Sequence, residues 1–329
     1  MQLQDIKKVL VVGGGTMGQQ IAFQCAAHNY SVTLYDNSPD ALVEIPRRLK
    51  EYTDYLVAEG HLDRTQVEAA LLRIVPSADA AEAAQDADLL SESVPEDPVL
   101  KGKVFKQFNK LCPSRTIFTT NTSMLVPSMM ARSTGRPDRF VAFHFHQPAW
   151  VGNVADIMPH PGTSAEVVAL VSDFARSIGQ IPMVLNKESY GYIFNAMYSG
   201  LNSAAITLAA NGVASVEDID RSWMGTAKMP IGPLGMLDVV GLDTVWSVTK
   251  YWADVLSDPQ TMKIPPILKI NMLITMVGVK SGRGFYTYPE PGYQSSTLSP
   301  ANKEGTVLLN KQGQRGGFMV VKDGGFDNL

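Results

Sequence analysis

The chain has 329 residues, a formal net charge of −4, 45% hydrophobic residues and 18% charged residues. That is the length of about two domains and the composition of a chain that buries a core, not of a disordered one. No Lys/Arg run points to nucleic acid or an anionic membrane surface, no apolar run approaches the ~20 residues of a bilayer span, and Met1–Val12 carries no signal-peptide core.

The first half alternates strand-like and helix-like stretches. Val9–Val12 is a short apolar run ending in glycines, Thr16–His28 has helical spacing, and Val32–Tyr35 is again strand-like and ends in Asp36. Helical spacing follows over Pro39–Glu59 and Asp63–Leu72, and further strands are expected at Arg73–Val75, Leu89–Ser93, Thr116–Thr120 and Arg139–Phe145. Short apolar strands separated by helices argue for an α/β fold, a doubly wound parallel sheet covered on both faces. Beyond residue 187 the pattern turns helical: Tyr190–Ala210, Val216–Lys228, Leu234–Leu256 and Met262–Val279, with prolines near the ends. The expected organisation is a sheet domain over 1–187, an all-helical domain over 188–290 and a C-terminal extension over 291–329. Within that extension Thr306–Asn310 and Phe318–Val321 flank a Gly-rich turn and suggest a late hairpin.

Gly13-Gly14-Gly15-Thr16-Met17-Gly18 is a GxGxxG sequence between the first strand and the first helix. Gly13 allows the tight turn, Gly15 lets backbone approach a pyrophosphate, and Gly18 lets helix and strand pack closely. The helix N-terminus at Thr16 and Met17 then offers N–H groups and a positive dipole end to phosphate. Asp36, 18 residues past Gly18, stands where an acid accepts hydrogen bonds from an adenosine ribose. Asn37, Ser38 and Pro39 follow with no Arg for a 2′-phosphate, so NAD is expected rather than NADP, on a Rossmann-type sheet.

With these motifs in place, the sequence resembles the L-3-hydroxyacyl-CoA dehydrogenase family. The glycine loop and Asp36 are followed in family order by Glu92–Glu96, Asn121-Thr122-Ser123, Arg139-Phe140 leading to His144-Phe145, and Gly191–Asn195. Ile231-Gly232-Pro233, Leu237-Asp238, Gly241–Thr244 and Lys280–Tyr286 complete the set. The resemblance implies a Rossmann NAD domain followed by a helical domain that also makes a homodimer. It implies that His144 is the general base on a 3-hydroxyl, that Ser123 and Asn195 hold the substrate oxygen, and that Glu96, Lys101 and Asn121 lie at the cofactor. The family histidine is partnered by a glutamate twelve residues later, and here that position is Asp156. A neutral imidazole suits removal of a hydroxyl proton, and a carboxylate on its other nitrogen fixes the tautomer. His144 and Asp156 form that dyad if their strands run side by side.

Three departures from the family pattern stand out. Asp156 is one methylene shorter than glutamate, so the dyad needs a closer approach, a bridging water or a small shift. His146 and Gln147 replace the usual Phe and Asn ahead of Pro148. His146 is assigned to the opposite face of the strand from His144, in a structural role. The lysines that family members direct at CoA are replaced by Val57–Leu62, which carries Glu59 and His61, with Arg47, Arg48, Lys50 and Arg64 as candidates to compensate. His28, His61 and His160 make no ligand pattern, and Cys25 and Cys112 make neither a disulfide framework nor a cluster, so no metal and a reducing, cytoplasmic setting are expected. The expected partner is a small molecule, a 3-hydroxyacyl-CoA first and a free 3-hydroxy acid of gulonate or carnitine type second. A catalytically silent NAD-binding protein is the third reading.

Overall fold

The computed structural model describes residues 1–246 and 277–294. The chain divides into two compact units, Met1–Ala196 and Met197–Leu329.

The first unit is an eight-stranded sheet of order β3-β2-β1-β4-β5-β6-β7-β8. Its strands are β1 (Lys8–Val12), β2 (Ser31–Tyr35), β3 (Ile74–Ser77), β4 (Leu89–Glu92), β5 (Ile117–Thr120), β6 (Phe140–Phe145), β7 (Val154–Met158) and β8 (Ile181–Val184). The first six run parallel; β7 is antiparallel to β6, and β8 is parallel to β7. The sheet is therefore mixed rather than wholly parallel, because β6 is followed by a short return to β7 instead of a helical crossover.

Helices α1 (Thr16–Ala27), α2 (Pro39–Ala58), α3 (Arg64–Leu71), α4 (Ala80–Ala84), α5 (Pro98–Leu111), α6 (Ser128–Ala131) and α7 (Ala165–Ser177) cover the sheet. Several starts follow from sequence chemistry. Ser38, Asp63, Asp79, Asp97 and Ser164 each accept a backbone N–H of the first turn that follows, and Pro39 and Pro98 open α2 and α5. Alternate residues of β1 enter different cores: Val9 and Val11 pack with Ile21, Phe23 and Phe174, whereas Leu10 and Val12 pack with Phe105, Phe108 and Phe118. A strand apolar on both faces is what a doubly covered sheet requires.

The strand order reverses between β1 and β4, and the glycine loop and Ser93 leave the sheet there, at the carboxyl ends of the strands. That is the place where open α/β sheets bind ligands.

The second unit contains most of α8 (Phe194–Ala210), with α9 (Val216–Ala227) and α10 (Pro233–Val240). Ala205, Ile206, Ile219, Leu234, Leu237 and Leu242 form its core. Asp220 accepts the Leu234 and Gly235 N–H groups at the start of α10 and the Tyr286 hydroxyl. Asp238 accepts the Phe285 and Tyr286 N–H groups, so the Leu237-Asp238 and Lys280–Tyr286 motifs meet here. The helix expected over Leu234–Leu256 is broken at Gly241, which has φ +97°, and helical backbone resumes over 242–246. The rest of that stretch, most of Met262–Val279 and the suggested hairpin lie outside the described residues. Among the described residues no helix is long and apolar enough to cross a membrane.

Candidate active site

The glycine loop has distinct steric demands at each glycine. Gly13 sits at φ +110°, and a Cβ there would meet the Ser93 carbonyl oxygen at 2.6 Å. A Cβ on Gly18 would stand 1.8 Å from the Gly13 oxygen, so only glycine lets α1 approach β1 this closely. Around Gly15 a Cβ would meet nothing within 4 Å, which leaves open space at the helix start. No side chain caps the N-terminus of α1. Open space before uncapped N–H groups fits a pyrophosphate. Asp36 holds its place by accepting Gly14 N–H at 2.7 Å and Ser38 N–H at 2.8 Å, one on each carboxylate oxygen, and each oxygen keeps a lone pair for a ribose hydroxyl. These residues fit the adenosine and pyrophosphate portions of NAD.

Near the end of β6 lies His144, directly opposite Asp156 of β7 in the antiparallel register. His144 Nδ1 is 3.2 Å from Asp156 Oδ2, and both residues are buried. The shorter acid thus reaches its partner by direct approach. Burial pushes the His144 imidazole below its ordinary value, against the hydrogen bond it donates to Asp156, which raises it. Burial would raise Asp156, but hydrogen bonds from His144 and His146 outweigh it and hold the carboxyl below the usual range. The dyad is a neutral imidazole on an ionised carboxylate.

His146 does not lie on the opposite face. Residues two apart on an extended chain share a face, and His146 Nε2 lies 3.1 Å from the same Asp156 Oδ2. The two imidazoles meet edge to face with ring centroids 4.7 Å apart. Tyr192 also packs on His144, 5.0 Å between ring centroids, with its buried hydroxyl unpartnered among the described residues.

The loop after β5 is fastened at several points. Glu96 Oε1 accepts the Thr122 hydroxyl and the N–H groups of Ser123 and Met124, both at 3.0 Å. Lys101 is 1% exposed; its ammonium donates to Glu92 Oε1 at 2.8 Å and the Val94 carbonyl at 3.0 Å, and pairs with Glu96 Oε2 at 3.3 Å. All three Lys101 donors thus serve the 92–96 segment, and Lys101 acts on the site through Glu96. Asn121 Oδ1 accepts Phe145 N–H at 2.8 Å, tying this loop to the residue after His144. Asn195 stands in the first turn of α8, not mid-helix, and its amide donates to the Ser123 carbonyl at 3.3 Å. The structure therefore brings His144 to Asp156 and Ser123 to Asn195, with Asn121 and Glu96 linking the segments that carry them. Residue-by-residue reasoning from the sequence misses Glu92, Thr120 and Thr122, whose buried hydrogen bonds anchor this network.

Residues 8–189 match the family model for the NAD binding domain of 3-hydroxyacyl-CoA dehydrogenase, and residues 191–288 match its C-terminal domain. The chain belongs to the 3-hydroxyacyl-CoA dehydrogenase family. It is an NAD-dependent oxidoreductase of the type acting on a CH–OH group. The mitochondrial hydroxyacyl-coenzyme A dehydrogenase of Rattus norvegicus is 33% identical over 86% of this chain and 91% of the relative. A probable 3-hydroxybutyryl-CoA dehydrogenase of Bacillus subtilis is 32% identical over 87% of this chain and 99% of its own. Among solved structures, a diketoreductase described for dual catalysis of dicarbonyl compounds is 38% identical with a TM-score of 0.80, covering 86% of this chain and 99% of its own. The (S)-3-hydroxybutyryl-CoA dehydrogenase of Ralstonia eutropha is 29% identical with a TM-score of 0.77, covering 87% of this chain and all of its own.

Proposed function

We propose that the protein catalyses the reversible NAD-dependent oxidation of the 3-hydroxyl of an L-3-hydroxyacyl-CoA to the 3-oxoacyl-CoA, with His144 as general base. The observation that carries this reading is the buried 3.2 Å contact between His144 Nδ1 and Asp156 Oδ2. NAD, when bound, supplies the hydride acceptor. Gly13, Gly15, Thr16, Met17, Gly18 and Asp36 would hold its pyrophosphate and ribose, and Glu96 would border its reactive end. With the Nδ1 proton donated to Asp156, the Nε2 lone pair is free to take the proton of the substrate hydroxyl. Asp156 then stabilises the imidazolium. The Ser123 hydroxyl and the second N–H of the Asn195 amide are the donors for the substrate oxygen.

A second reading, oxidation of a free 3-hydroxy acid, is favoured by the charges on α2 and at the start of α3. Arg47 pairs with Glu44 and Glu51, and Lys50 and Arg64 both pair with Asp54. Three of the four cations expected to replace the family lysines thus already have carboxylate partners. Initial rates of NADH oxidation with acetoacetyl-CoA beside free acetoacetate separate the two. Turnover with the thioester alone supports the first reading; turnover with the free acid alone replaces it with the second. We also propose a cytoplasmic homodimer built through the helical unit; a monomeric mass in analytical ultracentrifugation at micromolar concentration would refute the dimer.

A further inference from the structure

His144, His146 and Asp156 bring two ring nitrogens and a carboxylate oxygen within 4.8 Å of one another. We propose that this cluster is a transition-metal site whose occupation switches the dehydrogenase off; the switching half rests on His144 being the base. His28, His61 and His160 are not involved. The ligand signal lies instead in His144-x-His146, which puts two imidazoles on one face, and in the β6–β7 register, which sets Asp156 against them.

The donor spacing fits an ion. Asp156 Oδ2 lies 3.2 Å from His144 Nδ1 and 3.1 Å from His146 Nε2. Those separations are near the ~3.3 Å edge of a tetrahedron whose metal–ligand bonds are about 2.0–2.1 Å. Two neutral imidazoles and one carboxylate select zinc, cobalt, nickel or copper over magnesium or calcium, which prefer all-oxygen shells. Three protein ligands leave a fourth position for water. His144 and Asp156 are rigidly held in adjacent buried strands, and His146 lies just beyond the end of β6, half-buried and better able to adjust.

Metal binding inverts the dyad by moving protons within each ring. Without metal, His144 Nδ1 and His146 Nε2 carry the protons that face Asp156 Oδ2. The ion takes the positions that those two protons hold on the facing nitrogens, so on His144 the proton moves from Nδ1 to Nε2. His144 Nε2, which must accept the substrate proton, is then protonated and has no lone pair. The enzyme keeps its fold and its cofactor cradle but has no base.

The test is titration of Co²⁺ into the chelator-treated full-length chain, read by its visible ligand-field band. Wild type, His146→Phe, His146→Gln and Asp156→Asn are compared, with circular dichroism and NADH binding as folding controls. We expect a saturable band at one ion per chain in wild type. Loss of even an outer-shell partner typically weakens metal binding by about tenfold or more, so loss of a ligand should weaken it at least that much. An absent band in wild type, or an undiminished band in both His146 variants, overturns the site. His146→Gln decides the matter where His146→Phe does not fold. In parallel, Zn²⁺ should inhibit NADH oxidation by wild type. Metal bound without inhibition overturns the switch and the role of His144 as base, whereas no metal bound overturns the metal site alone.

Discussion

His144 and Asp156 stand opposite one another in the β6–β7 ladder with Nδ1 3.2 Å from Oδ2, so the partner of the His144 imidazole is set by strand register. Asp156→Asn keeps the size but removes the charge that holds the Nδ1–H tautomer and stabilises the imidazolium. By analogy with the Ser-His-Asp triad, kcat is expected to fall about 10²–10⁴-fold while NADH affinity changes little. Steady-state kinetics with fluorescence titration of NADH checks this. Equal losses in kcat and in cofactor affinity would contradict it.

The glycine loop separates binding from folding. Gly15 is extended, at φ −72° and ψ −172°, in open space, so alanine there fits the fold but would intrude on a pyrophosphate held as proposed. Gly15→Ala should weaken NADH binding at least tenfold with Tm lowered by no more than a few degrees. Gly18→Ala drives a methyl into the Gly13 carbonyl and should fail to fold or lose Tm heavily. Thermal melts and NADH titration on both variants distinguish the two glycines.

Glu96 makes a pH-dependent contribution. Burial raises its carboxyl, but Lys101 and the hydrogen bonds from Thr122 and Met124 outweigh it and hold the group below its ordinary value. A carboxylate depressed on folding stabilises above its unfolded value, about 4.3, and loses that contribution as pH falls through the folded value. The Tm gap between wild type and Glu96→Gln should be widest near neutrality and narrow as pH drops below about 4. A gap that widens in acid would contradict the assignment.

In the second unit, Asp220 is buried and accepts three hydrogen bonds, from Leu234 and Gly235 N–H and the Tyr286 hydroxyl. Asp220→Ala leaves all three donors without their acceptor. The cost should be about 2–4 kcal/mol in chemical denaturation, at roughly 1–3 kcal/mol for each donor left buried and allowing for partial access of water. A loss under about 0.5 kcal/mol, the scale of an ordinary surface change, would show that water replaces the acid.

Much of the fold was legible because the first six strands and the first three helices carry short apolar runs, helical spacing and GxGxxG in order. The less legible elements lie between or after these. α5 has Asp97-Pro98 as a start signal and Val104, Phe105, Phe108 and Leu111 at helical spacing, but interspersed lysines dilute the pattern. β8 is an edge strand with exposed Ile181 and Val184, which blunts any apolar signature. In the candidate site, the His144–Asp156 and Ser123–Asn195 contacts join residues that the family motifs single out. The shared carboxylate was not legible: it depends on the strand face of His146 and on the register of β6 with β7, and the second of these is tertiary information. The fastening of Glu96 by Lys101 and Thr122 likewise joins segments separate in sequence.

The most direct test of the central claim is the single-turnover rate of NADH oxidation by His144→Gln with the preferred oxo substrate, in chelator-treated buffer. Glutamine keeps a polar side chain near Asp156 but cannot cycle a proton. The expected result is a fall of about 10²–10⁴-fold in the chemical step, the range of a positioned acid–base group, with NADH affinity intact. A chemical step within a few-fold of wild type would contradict His144 as the base and, with it, proton transfer through the His144–Asp156 dyad.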